Sequence, residues 1–167
     1  MSLIVKKFGG TSVANKERIF NVAKRCIKDY EKGHDVVVVL SAMGKYTDEL
    51  IAKAKDITPN PPKREMDMLV SAGEQMSISL LAMAIEKLGY PVCSLLGWQA
   101  GFSTNSVYGS ARIKKVNAER IKLEIGKKNI VIVAGFQGLN KYDDLTTLGR
   151  GGSDTSAVAI AAPRMPR

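Results

Sequence analysis

The run DVVVVL, Asp35 to Leu40, excludes more folds than any other stretch of the chain. From Val36 to Leu40 every residue is apolar, without the alternation that a strand with one wet face requires. Such a strand is covered on both sides, which is the situation of a central strand in a parallel sheet. Asn129 to Ala134, NIVIVA, carries a second buried strand of the same kind.

Around these two runs the chain alternates short apolar segments with helical patterns. Leu3 to Phe8 reads as a strand. From Asn15 to about Tyr30, Ile19, Ala23, Cys26 and Tyr30 recur at helical spacing, with Asn15 placed to cap. A helix is expected from about Thr47 to Lys55. TPNPPK is then a loop, because its three prolines lack donors and push the preceding residues away from helix. Lys63 to Leu88 is too long for an ordinary single helix and reads as two, broken at Ser71-Ala72-Gly73. PVCSLLG is a strand, and Phe102 to Lys115 is a β excursion. Val116 to Gly126 is helical, GFQG a turn, NKYDDLTTLG a short hairpin, and SDTSAVAIAA opens a last helix. Alternating strands and helices joined by right-handed crossovers predict an α/β three-layer sandwich: a mostly parallel central sheet with helices on both faces.

Composition narrows the function. The chain has 167 residues and a net charge of +9, with 25 Lys and Arg against 16 Asp and Glu. That excess suits ATP, an acidic metabolite or a polyanion, but the charges are scattered and form no basic tail. Neither a nucleic-acid motif nor aromatic residues interleaved with the basic ones are present, so no nucleic acid is expected. No stretch approaches the roughly 18 consecutive apolar residues of a membrane span, and MSLIVKKF lacks the apolar core of an export signal. Cys26 and Cys93 are too few for a disulfide framework and too far apart for a zinc pair, which points to a reducing cytoplasm. With His34 the single histidine, no Ser/His/Asp triad and no histidine metal cluster can be built, and no metal ligand is assigned.

In open α/β sheets ligands bind beyond the carboxyl ends of the strands. Three loops there share a chemistry: KFGGTS after the first strand, SAMGKYT after the second, and LGRGGSDTS before the last helix. Each joins glycine, which lets backbone N–H groups approach a ligand, to hydroxyls and a nearby helix N-terminus that favours anions. Together they describe a polyphosphate cradle. KFGGTS lacks the P-loop spacing, and GRGGSD has Asp154 where the dinucleotide fingerprint needs glycine, so both common nucleotide motifs are disfavoured.

KFGGTSV, VVVVLSAMGKYTDEL, SAGEQMSISLLA, LGWQAG, VIVAGFQG and TTLGRGGSDTSAVA, in this order from Leu3 to about Ala162, resemble aspartate kinase of the amino-acid kinase fold family, the monofunctional bacterial type. The resemblance implies transfer of the γ-phosphoryl of ATP, with Mg2+, to the side-chain carboxylate of L-aspartate. The product, 4-phospho-L-aspartate, begins lysine, methionine and threonine synthesis. Another enzyme of the same fold with a different acceptor, and a truncated subunit with a binding or assembly role, are the alternatives.

The residue chemistry accommodates that reaction. A carboxylate with a reference pKa of about 3.9 is already ionised at neutral pH and needs no general base. What it needs is relief of repulsion between two anions. A lysine about 4 Å away is worth roughly 4 kcal/mol at an effective dielectric near 20. The resemblance assigns catalysis to Lys7 and Asp154, and phosphate binding to Lys7, Phe8, Gly9, Gly10, Ser12, Ser41 and Gly44. It assigns the aspartate site to Thr47, Glu74, Arg150, Gly151, Gly152 and Ser153, with Arg150 on the α-carboxylate and Glu74 associated with the amino group. Glu74 and Asp154 both begin helices, whose dipoles are expected to favour their ionised forms. Phe136 and Trp98 fit a core or a pocket wall equally.

In the resembling family the sheet continues into an adenosine-binding segment and regulatory domains. Residues 1–162 therefore read as the N-terminal part of a catalytic domain. Residues 163–167 read as an anomalous tail or a rejoined end, the regulatory domains being absent. The chain alone is expected to bind ATP poorly, and the full-length protein to be a homo- or hetero-oligomer.

Overall fold

The computed structural model describes residues 2–162; the expectation for 163–167 lies outside them. Leu3–Phe8 (β1) leads through a short 3-10 turn, Gly10–Val13, into α1 (Lys16–Glu31). Asn15 caps α1 by accepting the Arg18 N–H at 2.9 Å, as its position predicts. β2 (Asp35–Leu40) is followed by α2 (Tyr46–Ile57), then α3 (Lys63–Val70) and α4 (Ala72–Lys87), which meet at Ser71. β3 (Val92–Leu95), β4 (Phe102–Thr104) and β5 (Ile113–Val116) precede α5 (Glu119–Gly126). β6 (Ile130–Ala134), β7 (Gln137–Leu139) and β8 (Leu145–Thr147) lead to α6 (Gly152–Ala161).

The two valine-rich runs occupy the positions their patterns demand. The main sheet has the order β1-β2-β6-β3, all parallel, with β2 and β6 adjacent at its centre. One face, with Val36, Val38, Leu40, Ile130 and Ile132, packs on Ile19, Val22 and Cys26 of α1 and on Ile78, Leu81 and Ile85 of α4. The opposite face, with Val37, Val39, Val131 and Val133, packs on Ile121 of α5 and Ile160 of α6. Period-two alternation thus supplies two cores from the same two strands.

A second sheet, β5-β4-β7-β8, departs from the expected single one. The β excursion pairs antiparallel with itself and joins the hairpin β7–β8 through β4. GFQG is not wholly a turn: Gln137 and Gly138 already belong to β7. By length and apolar composition Lys63–Lys87 would also qualify to cross a membrane, contrary to the expectation of no such stretch. It is instead the broken pair α3–α4, with Asp67 and Glu74 buried within it and half of the apolar stretch covered by the protein.

Candidate active site

A cleft of about 540 Å³ opens at the carboxyl ends of β1, β2 and β6, where the topology predicts a ligand. Its first wall is Lys7 and Gly10, from β1 and the turn after it. Neighbouring strand residues point to opposite faces, so Lys6 and Lys7 separate. Lys6 Nζ pairs with Asp29 of α1 at 2.5 Å, while Lys7 Nζ lies 3.2 Å from Asp154 Oδ1 of α6. Only the second lysine faces the cleft.

Ser41, Ala42 and Gly44, after β2, form the second wall. It is stitched to the first by the Gly44 N–H, which donates to the Gly10 carbonyl at 2.8 Å. The two loops approach so closely that a Cβ on Gly10 would sit 2.8 Å from the carbonyl oxygens of both Ala42 and Gly44. α2 then adds Thr47, Asp48 and Ile51 from one helical face.

The third wall is the loop Gly149–Gly151 and the start of α6. Gly149 (φ 80°) and Gly151 (φ 75°) take the left-handed conformation that side chains resist. They turn the chain so that the N-terminus of α6 faces the cleft, its first-turn N–H groups lacking intrahelical acceptors. The Ser41 hydroxyl donates to the Ser153 hydroxyl at 2.8 Å and locks the second wall to the third. Phe136, also in the lining, has φ 74°. For an aromatic residue this costs on the order of 1–2 kcal/mol. It is held there because its carbonyl accepts the Leu148 N–H at 2.8 Å and its N–H donates to Ser156 Oγ at 3.1 Å.

Glu74 lines the cleft from the first turn of α4, 2% exposed, and its Oε2 has no hydrogen-bond partner. Burial pushes its pKa up to about 8, against the downward pull of the Ala42 and Glu74 backbone N–H groups. The expectation that the helix dipole keeps Glu74 ionised is corrected here: desolvation of the buried carboxylate outweighs the partial charge at the helix end.

The cleft therefore gathers Lys7, Gly10, Ser41, Gly44, Thr47, Glu74, Arg150, Gly151, Gly152, Ser153 and Asp154 from four distant parts of the sequence. Three expected residues are not in its lining. The Phe8 side chain is buried in the core on the α1 face, where the Arg25 guanidinium stands 5.0 Å from its ring centre. Gly9 and Ser12 are turned into the 3-10 turn, the Ser12 N–H donating to the Gly9 carbonyl at 3.1 Å. Of the two ambiguous aromatics, Phe136 is pocket wall, whereas Trp98 is 46% exposed and is neither. Asp48 and Ile51 escaped the sequence reading. Their signal was there: with Thr47 they occupy i, i+1 and i+4, one face of the helix that follows SAMG.

Residues 2–163 match the Amino acid kinase family. The chain belongs to the amino acid kinase family. Among relatives within it, an aspartokinase of Bacillus sp. (strain MGA3) is 59% identical over 162 residues, which are 97% of this chain and 39% of the relative. The chain thus spans about two-fifths of that relative's length. The crystal structure of aspartate kinase from Synechocystis superposes with a TM-score of 0.82 at 46% identity, over 96% of this chain and 26% of that one. E. coli aspartokinase III, solved in complex with lysine and aspartate, superposes with a TM-score of 0.77 at 25% identity, over 96% and 47%. The α/β sandwich with a parallel central sheet is thus the amino acid kinase fold, and the cleft described above lies at the carboxyl ends of its strands.

Proposed function

We propose that this chain carries the phosphate-binding and acceptor-binding part of an enzyme that transfers the γ-phosphoryl of ATP to the side-chain carboxylate of L-aspartate, giving 4-phospho-L-aspartate. The observation that carries the reading is that one cleft gathers both anion-binding and acidic groups. Lys7 and the glycine loops offer groups for phosphate. Arg150, Thr47, the buried Glu74 and the α6 N-terminus offer groups for a zwitterionic acceptor. The relatives named aspartokinase support the same substrate.

In this reaction the acceptor carboxylate attacks phosphorus in its ionised form, and no residue removes a proton from it. Lys7 neutralises charge between the anions, and Asp154, 3.2 Å from Nζ, orients it. Gly10, Ser41 and Gly44 line the phosphate path, where the Mg2+ expected with ATP would supply further neutralisation of phosphate charge. Arg150 holds the α-carboxylate by its guanidinium fork, with Gly151, Gly152 and Ser153 beside it. Glu74 receives the ammonium, and a cation against Oε2 favours the ionised carboxylate, so the proton that burial holds there leaves when the acceptor binds.

The product would start lysine, methionine and threonine synthesis in a reducing cytoplasm, which suits the two free thiols, Cys26 and Cys93. Within the full-length protein the chain would assemble as a homo- or hetero-oligomer. The test is a chimaera in which residues 1–162 replace the matching segment of the Bacillus sp. (strain MGA3) relative. With L-aspartate and MgATP it should yield acyl phosphate, trapped as the hydroxamate. No hydroxamate with aspartate, or more with glutamate, acetylglutamate or UMP as acceptor, sinks the proposal.

A further inference from the structure

Gln137 and Thr147 face each other across the β7–β8 hairpin, and both bond to the α3–α4 junction. Thr147 donates its N–H (3.1 Å) and its hydroxyl (2.7 Å) to the Asp67 carboxylate. Gln137 Nε2 donates to the Ser71 carbonyl at 3.0 Å, four residues further along. Asp67 and Gln137 are each 1% exposed, so these bonds form away from water. Each of the two side chains makes one further tie: Asp67 accepts the Gly109 N–H at 2.9 Å, and Gln137 Oε1 accepts the Gly97 N–H at 3.2 Å.

In the chain this rung lies just ahead of each of the two acceptor-facing groups. Three residues beyond Ser71 is Glu74; three residues beyond Thr147 is Arg150. Arg150 is exposed and makes no ion pair among the described residues, and it sits between two left-handed glycines. Its location therefore depends on where its loop is anchored, at Thr147 on one side and Ser153 on the other. Displacement of a binding group by about 1 Å costs up to about 100-fold in a positioned reaction.

We propose that the rung made by Asp67, Ser71, Gln137 and Thr147 fixes the span between Glu74 and Arg150, so that Asp67 and Gln137 are positioning residues that set the length of acceptor the cleft takes. The proposal rests on the reading above, in which Glu74 and Arg150 hold the acceptor's ammonium and α-carboxylate. Buried carboxylates and amides require their hydrogen bonds, so the rung cannot slide without leaving donors or acceptors unmade.

The experiment compares the chain with its Thr147→Val, Thr147→Ser and Asp67→Asn variants. Amide hydrogen exchange reads the loop, and calorimetry reads binding of L-aspartate, L-glutamate and tripolyphosphate. Thr147→Val is nearly isosteric and removes one bond of the rung. It should speed exchange at residues 149–153 by about 10-fold or more and leave residues 9–12 unchanged. It should also weaken L-aspartate by about 10-fold, narrow the preference for aspartate over glutamate, and leave tripolyphosphate within about twofold. Asp67→Asn should act in the same direction, and Thr147→Ser, which keeps the hydroxyl, should restore the native values. Unchanged exchange at 149–153, or Thr147→Ser behaving like Thr147→Val, overturns the proposal. Loop protection lost in Thr147→Val, with no L-aspartate bound by the native chain, overturns the acceptor reading and leaves the rung as a loop anchor alone.

Discussion

Lys7 Nζ lies 3.2 Å from Asp154 Oδ1, joining the end of the first strand to the first turn of the last described helix across the mouth of the cleft. The pair is not built for stability. Asp154 is 70% exposed and Lys7 31%, and ion pairs so open to water contribute between nothing and about 1 kcal/mol. It stands at the meeting of two glycine loops, and in the proposed reaction it would hold an ammonium group where phosphate charge arrives.

Lys7→Ala should accordingly separate activity from stability. In the chimaera, turnover is expected to fall by roughly 10² or more, the scale of losing one preorganised electrostatic donor. The urea midpoint of the chain should move by less than about 1 kcal/mol equivalent. Turnover near the native value would remove Lys7 from its assigned role.

Arg150→Ala should raise the KM for aspartate by about 10-fold or more, with the KM for ATP within about twofold. Arg150→Lys should recover little of the loss, since a point charge does not reproduce the planar fork. An effect confined to ATP would place the arginine at the wrong end of the cleft.

Glu74 predicts a pH dependence of stability with a definite sign. Its pKa rises from 4.5 to about 8 on folding, so between these values the unfolded chain releases a proton that the folded chain retains. The stabilising contribution is complete below pH 4.5, declines as pH rises, and is gone above about 8. The full span corresponds to up to about 5 kcal/mol, at 1.36 kcal/mol per pH unit. Glu74→Gln should flatten this part of the profile and be the more stable protein at pH 8. Identical urea-unfolding profiles from pH 5 to 8 would show that Glu74 is ionised in the fold.

Gly10 and Gly9 should respond oppositely to alanine. At Gly10 the new Cβ meets two backbone carbonyl oxygens at 2.8 Å, atoms that move only if the two loops part. Gly10→Ala should cost about 2 kcal/mol or more and weaken tripolyphosphate binding. At Gly9 the Cβ meets only the end of the flexible Lys7 side chain, at 3.5 Å, and the backbone is extended, so Gly9→Ala should stay within about 1 kcal/mol. Thermal unfolding of the two variants checks the contrast.

Much of the fold was legible because its signals are local. Asn15 capped the helix it preceded, and Ser71 broke the long helix within the three residues named for the break. Lys7, Ser41 and Arg150 could be placed at a common site because their loops follow recognisable strands or open a helix. Phe8 was misplaced because it adjoins the motif in sequence, while the alternation of β1 turns its ring to the α1 face. Asp67 carried no signal at all. Its partners are Gly109 and Thr147, 42 and 80 residues away, and only the packed hairpin brings them to α3.

By itself the sequence determined the doubly covered central strands, their alternation with helices, and the glycine loops at the strand ends. Periodicity and backbone freedom are properties of neighbouring residues. Tertiary structure alone decided the burial that raises the Glu74 pKa, the left-handed Phe136, the second sheet, and the rung from Asp67 to Gln137. Each of these depends on which groups exclude water from, or hydrogen-bond to, a residue far along the chain, and that is fixed only when the layers close.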